Sequence, residues 1–427
     1  MGILDRLRGA RGRAFTITAG ATLAATVFLL GYYVLLPVLP MYLRELGWQK
    51  NTIGALASVF SISSLVFRPL AGVLTDRSGP TRVLTACGIV FCAVPALFFF
   101  SNAFLMLAAG QLLAGACVGT FTVGSNSYLV SWAPAEHMGE MVAWFSIALV
   151  MAKGFGSAVG SWLYENGGYG LALLLSAAVG PASIAILAAT RRVVRAQDDE
   201  VAVAAWPGGA ARGAASGGGA GRPGTAGKAA VRGAAGQAAR LDPVVVGLSA
   251  LILISITLSF GGIMTFLPIM AKERGLEGYG YFFVIQTSVV VLVRMFSGRI
   301  VDRAGAFWVI TVALVCLSGS VATLALARTL ETLVLSAVLY GVGYGASFPS
   351  LTATVMGRTP PAARGKAFGL YTAANDLGVA LGQACAGLSQ YTSFALIYGA
   401  MALLPFLSIG LLLPLFPRRG AAAAQDS

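Results

Sequence analysis

The stretch Arg68-Pro-Leu-Ala-Gly72-Val-Leu-Thr-Asp76-Arg77-Ser-Gly79 has a second copy, Arg294-Met-Phe-Ser-Gly298-Arg-Ile-Val-Asp302-Arg303-Ala-Gly305, with the same Arg, Gly and Asp residues at the numbered positions. Corresponding residues lie 226 positions apart, and the same separation relates Gly115 to Gly341 and Pro134 to Pro360. A constant separation over so long a stretch indicates an internal duplication. The sequence therefore predicts two similar halves, each with this charged turn after its second apolar segment.

The composition indicates that both halves lie in a membrane. The 427 residues are 57% hydrophobic and only 11% charged, with a mean hydropathy of +0.81. Soluble domains carry about 25% charged residues. The apolar residues are grouped in runs longer than the ~18 residues that suggest a membrane-spanning helix. We therefore predict a polytopic membrane protein.

The apolar runs predict an all-α membrane protein of twelve transmembrane helices in two pseudo-symmetric six-helix bundles. The bundles cover residues 15–190 and 243–416. They lie between a cytoplasmic N-terminus (1–14), a flexible Gly/Ala-rich cytoplasmic linker (191–242) and a cytoplasmic tail (417–427). The predicted segments 1 to 12 are 15–40, 51–74, 82–100, 104–131, 139–163, 168–190, 243–270, 279–301, 307–327, 331–356, 365–388 and 393–416.

The distribution of basic residues predicts the orientation. The termini and the loops on their side carry 21 Lys and Arg residues, against 5 in the opposite loops. The positive-inside rule then places both termini in the cytoplasm. It also accounts for the net charge of +13 without a nucleic-acid partner. The chain has no phosphate-cradling loop, no metal-ligand spacing and no catalytic constellation. We therefore expect no nucleotide, no metal, no other cofactor and no enzymatic activity.

The twelve segments, the central linker and the turn Gly72-x-Leu-x-Asp76-Arg77-x-Gly79-Pro-Thr-Arg82 together resemble the major facilitator superfamily. The resemblance implies two bundles around a central cavity, alternating access by rocking of the halves, a small-molecule substrate and a monomer in the lipid bilayer. The run Leu36-Pro-Val-Leu-Pro40 is similar to the bacterial efflux-type branch often labelled sugar or arabinose efflux permeases, which implies the bacterial inner membrane.

Two positions depart from the pattern of the proton-coupled drug antiporters in this family. Those proteins usually carry an Arg on segment 4, four residues before a Gly, where this chain has Gln111. They also carry a Gly-Pro pair on segment 5, where this chain has Gly156-Ser157. The fold expectation does not depend on either position.

The repeated turn is the expected gating motif. Gly72 and Gly298 would let helices approach closely, and Gly79 and Gly305 would permit tight turns. The family arrangement places Asp76 at the start of segment 11 near Gly365, and Asp302 at the start of segment 5 near Gly139. A carboxylate at a helix N-terminus would latch that end of the protein while it is shut. The alternative is a pair of solvated loop aspartates. The full motif is Arg68, Gly72, Asp76, Arg77, Gly79, Arg82, Arg294, Gly298, Asp302, Arg303 and Gly305.

Small residues repeat every four positions on the segments expected to meet at the gates. Ala152, Gly156 and Gly160 match Gly378, Gly382 and Ala386 at the same separation of 226. Such stripes let helix backbones pack closely. We expect them to support the contacts of segments 5 and 11.

Two ionisable residues are expected deep in the membrane, where charge is costly and usually functional. Asp376 lies ten residues past Lys366, or about 15 Å along segment 11. It is a candidate proton-coupling site; the alternative is a structural tie with Asn375 or Arg68. Lys153 lies thirteen residues past Glu140, or about 20 Å along segment 5. It is either a cavity residue or a partner of Asp376 or of backbone carbonyl groups. Arg68 and Arg294 can instead snorkel to the cytoplasmic face.

Polar and aromatic side chains on segments that line the cavity in the resembling family are the remaining candidates. Each alone is typical of packing; as a set they favour an amphipathic or aromatic substrate. The cavity candidates are Lys153, Tyr32, Tyr33, Phe121, Asn126, Tyr340, Tyr344 and Asn375.

Three classes of function follow. The first is a proton-coupled exporter of small organic molecules, such as a drug, a sugar-like compound or a metabolite. The second is an importer or facilitator of a small organic anion that uses Lys153 as counter-charge. The third is a non-transporting receptor or enzyme, which ranks last because the chain has no catalytic constellation or soluble sensing domain.

The predicted topology can be tested with reporter fusions. Fusions at Gly217 and Gln237 should report the cytoplasm, and fusions at Gln49 and Gly275 the periplasm, because the basic loops stay inside. A periplasmic signal from the central segment would contradict the division into six plus six helices.

Overall fold

The computed structural model describes residues 3–100, 102–132, 138–204, 242–360 and 363–416. Across these ranges the chain is helical and contains no strand. Two short 3-10 helices, Leu388–Gln390 and Ile409–Leu411, flank the helix Phe394–Ser408. The helices are α1 (Ile3–Glu45), α2 (Lys50–Ser78), α3 (Pro80–Phe91), α4 (Ala93–Phe100), α5 (Phe104–Trp132), α6 (Met138–Ala204), α7 (Pro243–Glu273), α8 (Gly280–Ala304), α9 (Ala306–Leu326), α10 (Leu330–Arg358), α11 (Arg364–Gly387), α12 (Phe394–Ser408) and α13 (Leu412–Leu415).

Helix α6 is long enough to cross the membrane twice. Its apolar part, Glu140–Thr190, has 51 residues, or about 77 Å of helix, more than twice a ~30 Å bilayer core. The chain reverses at Gly168, whose φ of 73° lies in the left-handed region. Glycine adopts this conformation without the steric cost that other residues incur. The turn predicted between segments 5 and 6 therefore lies at this residue.

Ten helices in the described ranges are long and apolar enough to cross a membrane. Glu140–Thr190 is one of the ten although it turns back, and α11 is not among them because it is less apolar. The polar residues Thr372, Asn375, Asp376 and Gln383 explain the low hydropathy of α11. An all-helical multi-pass membrane protein is confirmed, and the count of twelve crossings stays a prediction.

Two predicted domain boundaries differ from the structure. Helix α1 begins at Ile3, within the predicted N-terminal segment 1–14. Helix α6 continues to Ala204, so residues 191–204 of the predicted flexible linker are helical. Residues 191–204 contain Arg, Gln, Glu and Ala, which favour a helix, and no glycine, whereas the rest of the predicted linker is rich in glycine. Residues 205–241 of the predicted linker and the tail 417–427 lie outside the described residues.

The repeated turns have the same backbone in both halves. Helix α2 ends before Gly79 (φ 81°) and α8 ends before Gly305 (φ 80°), and each glycine N–H bonds to the carbonyl four residues earlier. Pro80 then occupies the first position of α3, where a helix needs no N–H donor. The tight turns expected at Gly79 and Gly305 are confirmed.

The glycine stripes pack helices within each half. A Cβ at Gly160 of α6 would overlap the carbonyl oxygen of Val34 in α1, and one at Gly382 of α11 would overlap that of Leu258 in α7. Gly115 of α5 approaches the α2 backbone at Phe60 in the same way. The stripes of α6 and α11 thus face the first helix of their own half, and not the gate contacts with the other half that the sequence suggested. They hold each half together as a packed body.

This packing predicts a sharp difference between two glycine substitutions. Gly382→Ala should lower the free energy of unfolding by about 1–3 kcal/mol, because the new methyl group meets a backbone atom that cannot move alone. Gly399→Ala, in open space on α12, should be neutral or stabilising. Thermal unfolding of the purified variants in detergent measures both. Equal unfolding temperatures would contradict the close α11–α7 packing.

Candidate substrate and coupling site

Ion pairs join the two halves at the end of the bundle opposite the repeated turns, which we call the closed end. Lys50 Nζ lies 2.8 Å from Glu273 Oε2 and 4.4 Å from the ring centroid of Phe394. Lys272 Nζ lies 2.5 Å from Glu45 Oε1. Lys50 is only 8% exposed, so its ion pair is shielded from water more than a surface pair is. The closed end therefore separates the centre of the protein from that side.

At the other end, which we call the motif end, the halves do not meet at the repeated turns. Nothing lies within 4 Å of a Cβ built at Gly72 or Gly298, so the close approach expected there is absent from this conformation. Asp76 and Asp302 are both exposed. The expected partner positions Gly365 and Gly139 lie outside the part whose side chains the structure describes. The latch stays a prediction for a state in which this end is shut.

Between the two ends lies a cavity lined by both halves. Helices α1, α2, α5 and α6 form one wall and α7, α10 and α11 the other. The wall contains aromatic rings, hydroxyl and amide groups, and three ionisable side chains with opposite signs of charge. Its residues are Tyr32, Tyr33, Leu36, Phe60, Ser61, Ser64, Arg68, Val118, Lys153, Phe260, Gly261, Met264, Tyr344, Asn375, Asp376, Val379 and Gln383.

Asp376 joins the two halves at the depth of this cavity. Arg68 Nη2 of α2 donates a hydrogen bond to Oδ1 at 3.1 Å, and Arg68 Nε lies 2.5 Å from Oδ2 at an angle outside the hydrogen-bond range. Ser64 Oγ of α2 donates to Oδ2 at 3.2 Å, and Asn375 Nδ2 donates to Oδ1 at 3.0 Å. The carboxylate is 6% exposed. Arg68 therefore reaches across the halves to Asp376 instead of snorkelling to the membrane surface.

Lys153 lines the cavity without such a partner. Its Nζ lies 5.6 Å from the ring centroid of Tyr33, at the outer limit of a cation–π contact. Among the described residues no carboxylate lies within ion-pair distance of it. The side chain is partly exposed, so its ammonium group is available to a molecule in the cavity.

Arg294, the repeat counterpart of Arg68, lies on α8 at the contact with α6. Its Nη1 donates a hydrogen bond to Ser146 Oγ at 2.8 Å, and its guanidinium carbon lies 5.7 Å from the ring centroid of Phe348. Its Nε is buried and has no hydrogen-bond partner. Arg294 also bridges the halves, but to a neutral group.

The structure divides the predicted cavity residues into two groups. Tyr32, Tyr33, Tyr344, Lys153 and Asn375 line the cavity.

The other three lie elsewhere. Phe121 is fully buried and stacks on Phe28 at 3.9 Å, and Tyr340 is fully buried with its hydroxyl 3.3 Å from that of Ser259. Asn126 is exposed. Phe121 and Tyr340 share a helix face with the cavity residues Val118 and Tyr344, but they pack inside the protein about one turn away from them.

Sequence reasoning missed part of the wall. Ser61 and Gln383 share a hydrogen bond of 2.9 Å across the halves, and Phe60 stacks on Tyr32 at 3.9 Å. The spacing of Ser61, Ser64 and Arg68 at three and four residues is a polar stripe on one face of α2. That stripe could have identified this face of α2 as part of the cavity wall from the sequence alone.

Comparison with protein-family models gives one match over most of the chain. The model described as Major Facilitator Superfamily matches residues 21–383 and, in a second match, 250–427. The overlapping second match is consistent with the internal duplication.

Two curated relatives cover most of the chain. An uncharacterized MFS-type transporter of Salmonella typhimurium is 26% identical over 88% of this chain and 92% of its own length. The staphylopine export protein of Staphylococcus aureus is 23% identical over 84% of this chain and 86% of its own length.

Among solved structures, the human organic anion transporter MFSD10 has a similar fold. The two superpose with a TM-score of 0.64 at 18% identity, covering 93% of this chain and 99% of the other. At this identity the similarity establishes the fold alone.

Proposed function

The chain belongs to the major facilitator superfamily, and we propose that it is a proton-coupled exporter of small organic molecules that works by alternating access. The family and the relatives are membrane transporters and not enzymes, so secondary transport as a general function is established. The direction of transport, its coupling to protons and the kind of substrate are what we propose.

The arrangement of the two ends supports alternating access. The halves are joined by ion pairs at the closed end and separate at the motif end, with the cavity between them. Each half is held together by backbone-to-backbone glycine contacts, so it can move as one body. If the basic loops lie in the cytoplasm, the cavity of this conformation faces the cytoplasm, where an exporter takes up its substrate.

The observation that carries proton coupling is the Arg68–Asp376 pair. A proton on Asp376 removes the negative charge and leaves Arg68 without its ion-pair partner. Removing one partner of a buried ion pair costs about 3–5 kcal/mol. Protonation would therefore destabilise this conformation and favour the one in which the motif end is shut. Release of the proton to the cytoplasm would restore the pair and reset the transporter.

Export is favoured over import by the relationship to an export protein. The match to the staphylopine export protein covers 84% of this chain. The run Leu36-Pro-Val-Leu-Pro40 resembles an efflux branch of the family as well. Both similarities support export.

The second candidate is an importer or facilitator of a small organic anion. Lys153 favours it, because an ammonium group without a carboxylate partner attracts an anion into the cavity. Resistance and uptake assays on overexpressing cells separate the two directions. Comparing metabolites in the medium of wild-type and deletion strains identifies what is exported.

We expect Asp376→Asn to abolish proton-driven accumulation while substrate binding and counterflow exchange remain. Asparagine imitates the protonated carboxyl group and cannot release a proton. Transport into proteoliposomes under an imposed pH gradient measures accumulation, and exchange without a gradient measures counterflow.

Glu165→Gln is the matched control for this experiment. Glu165 interacts with Tyr279 near the closed end and does not line the cavity, so its neutral variant should keep coupling. If the Asp376→Asn variant still concentrates substrate in response to the pH gradient, Asp376 is a structural tie and another group carries the proton.

A further inference from the structure

The two halves are repeats of each other, but the charged residues where they meet are not the same in both. At the separation of 226, Arg68 corresponds to Arg294, and both reach from the second helix of one half to the other half. Asp376 corresponds to Val150, and Ser64 to Val290. One arginine therefore has a carboxylate and a serine at its partner positions, whereas the other has two valines there.

The half-site around Arg294 consequently has no negative charge. Arg294 donates to Ser146, one turn before Val150 on α6, and its Nε is buried without a hydrogen-bond partner. A buried guanidinium group without a carboxylate is costly, and the cost falls when an anion binds it. Within the described residues, nothing from the chain itself supplies that anion.

Lys153, which lines the cavity, adds a second positive charge on α6, whereas Arg294 lies beside the cavity lining, at the contact of α8 with α6. Lys153 lies seven residues after Ser146 on α6, two turns along the same helix face and about 10 Å away. Its ammonium group interacts electrostatically with Arg294 as well as with Arg68 and Asp376. The repeat counterpart of Lys153 is Val379, so this charge is also not duplicated. Three cations and one carboxylate leave the group with a net charge of +2.

We propose that the substrate is an organic anion whose carboxylate, or a similar oxyanion, supplies the negative charge missing beside Arg294 and Lys153. This inference rests on the proposed transport through the cavity and holds for either direction. A planar oxyanion suits the fork of a guanidinium group.

The rest of the wall fits the apolar part of such a molecule. Tyr33 lies beneath Lys153, and Tyr344 belongs to the same cavity wall. Phe260 stacks on Tyr344 at 5.4 Å. The anion would bind on the α6–α8 side while an aromatic body lies against these rings.

Three probes with one naphthalene body and different charge test the proposal. They are naphthalene-1-carboxylate, its primary amide and naphthalen-1-ylmethylammonium. Equilibrium dialysis against the full-length protein in lipid nanodiscs gives a dissociation constant for each. We expect the carboxylate to bind at least about tenfold more tightly than the other two, as a charge-assisted contact provides. Equal binding, preference for the ammonium probe, or no binding of the carboxylate would overturn the proposal.

Substitutions at Val150 and Lys153 test the residues. Val150→Asp gives Arg294 the carboxylate that Arg68 has, so binding of the carboxylate probe should weaken about tenfold. Val150→Asn, of the same size but neutral, should keep the preference for the anion. Lys153→Gln should remove most of the preference for the anion. If Val150→Asp does not fold, the Lys153→Gln variant alone decides the test. Equal affinities in the Val150→Asp and Val150→Asn variants, with Lys153→Gln unchanged, would overturn the assignment.

This result is separate from the proposed export and proton coupling. The dialysis has no gradient, so failure of proton-driven accumulation or a reversed direction of transport would leave the binding preference intact. Loss of the anion preference would in turn leave the coupling proposal standing.

Discussion

One ion pair, Arg68 to Asp376, joins the two halves at the depth of the cavity in the described part of the chain. The other ion pairs between the halves lie at the closed end. Buried ion pairs add little net stability, but an ion pair that loses one charge becomes strongly unfavourable. The pair therefore makes the relative position of the halves depend on a single protonation. Shifting a two-state equilibrium from 1:99 to 99:1 needs about 5.5 kcal/mol, and loss of such a pair supplies much of it.

The pair can act in this way because each half is rigid on its own. Gly160 against α1 and Gly382 against α7 bring helix backbones into direct contact at equivalent positions of the two halves. In a membrane such contacts replace the hydrophobic effect as the source of helix association. Contacts between the halves include hydrogen bonds, such as Ser58 Oγ donating to the carbonyl of Ala380 at 2.9 Å, and close backbone packing of Gly54 against Gln383 and Gly387. Close packing within each half favours rocking over internal rearrangement.

Two kinds of feature could be predicted from the sequence: those that follow from the internal repeat, and the charged residues that lie deep in the membrane. The separation of 226 residues predicted two halves and the turns at Gly79 and Gly305, and the cost of burial marked Asp376 and Lys153. The sequence could not predict which face of each helix turns inward, because lipid and protein neighbours are equally apolar. It also could not predict how far along a helix the cavity extends: Phe121 lies one turn from Val118, which lines the cavity, but packs against Phe28. The Lys50–Glu273 pair was missed for a related reason: its partners come from the ends of helices in different halves.

The distance between the halves, measured by pulsed electron paramagnetic resonance, tests the coupling of conformation to Asp376 most directly. Spin labels at Val73→Cys and Phe368→Cys report on the motif end, and labels at Leu46→Cys and Tyr391→Cys report on the closed end; all four positions are exposed. In a protein whose native cysteines have been replaced, Asp376→Asn should shorten the distance at the motif end and lengthen the distance at the closed end. Unchanged distance distributions at both ends would contradict this coupling.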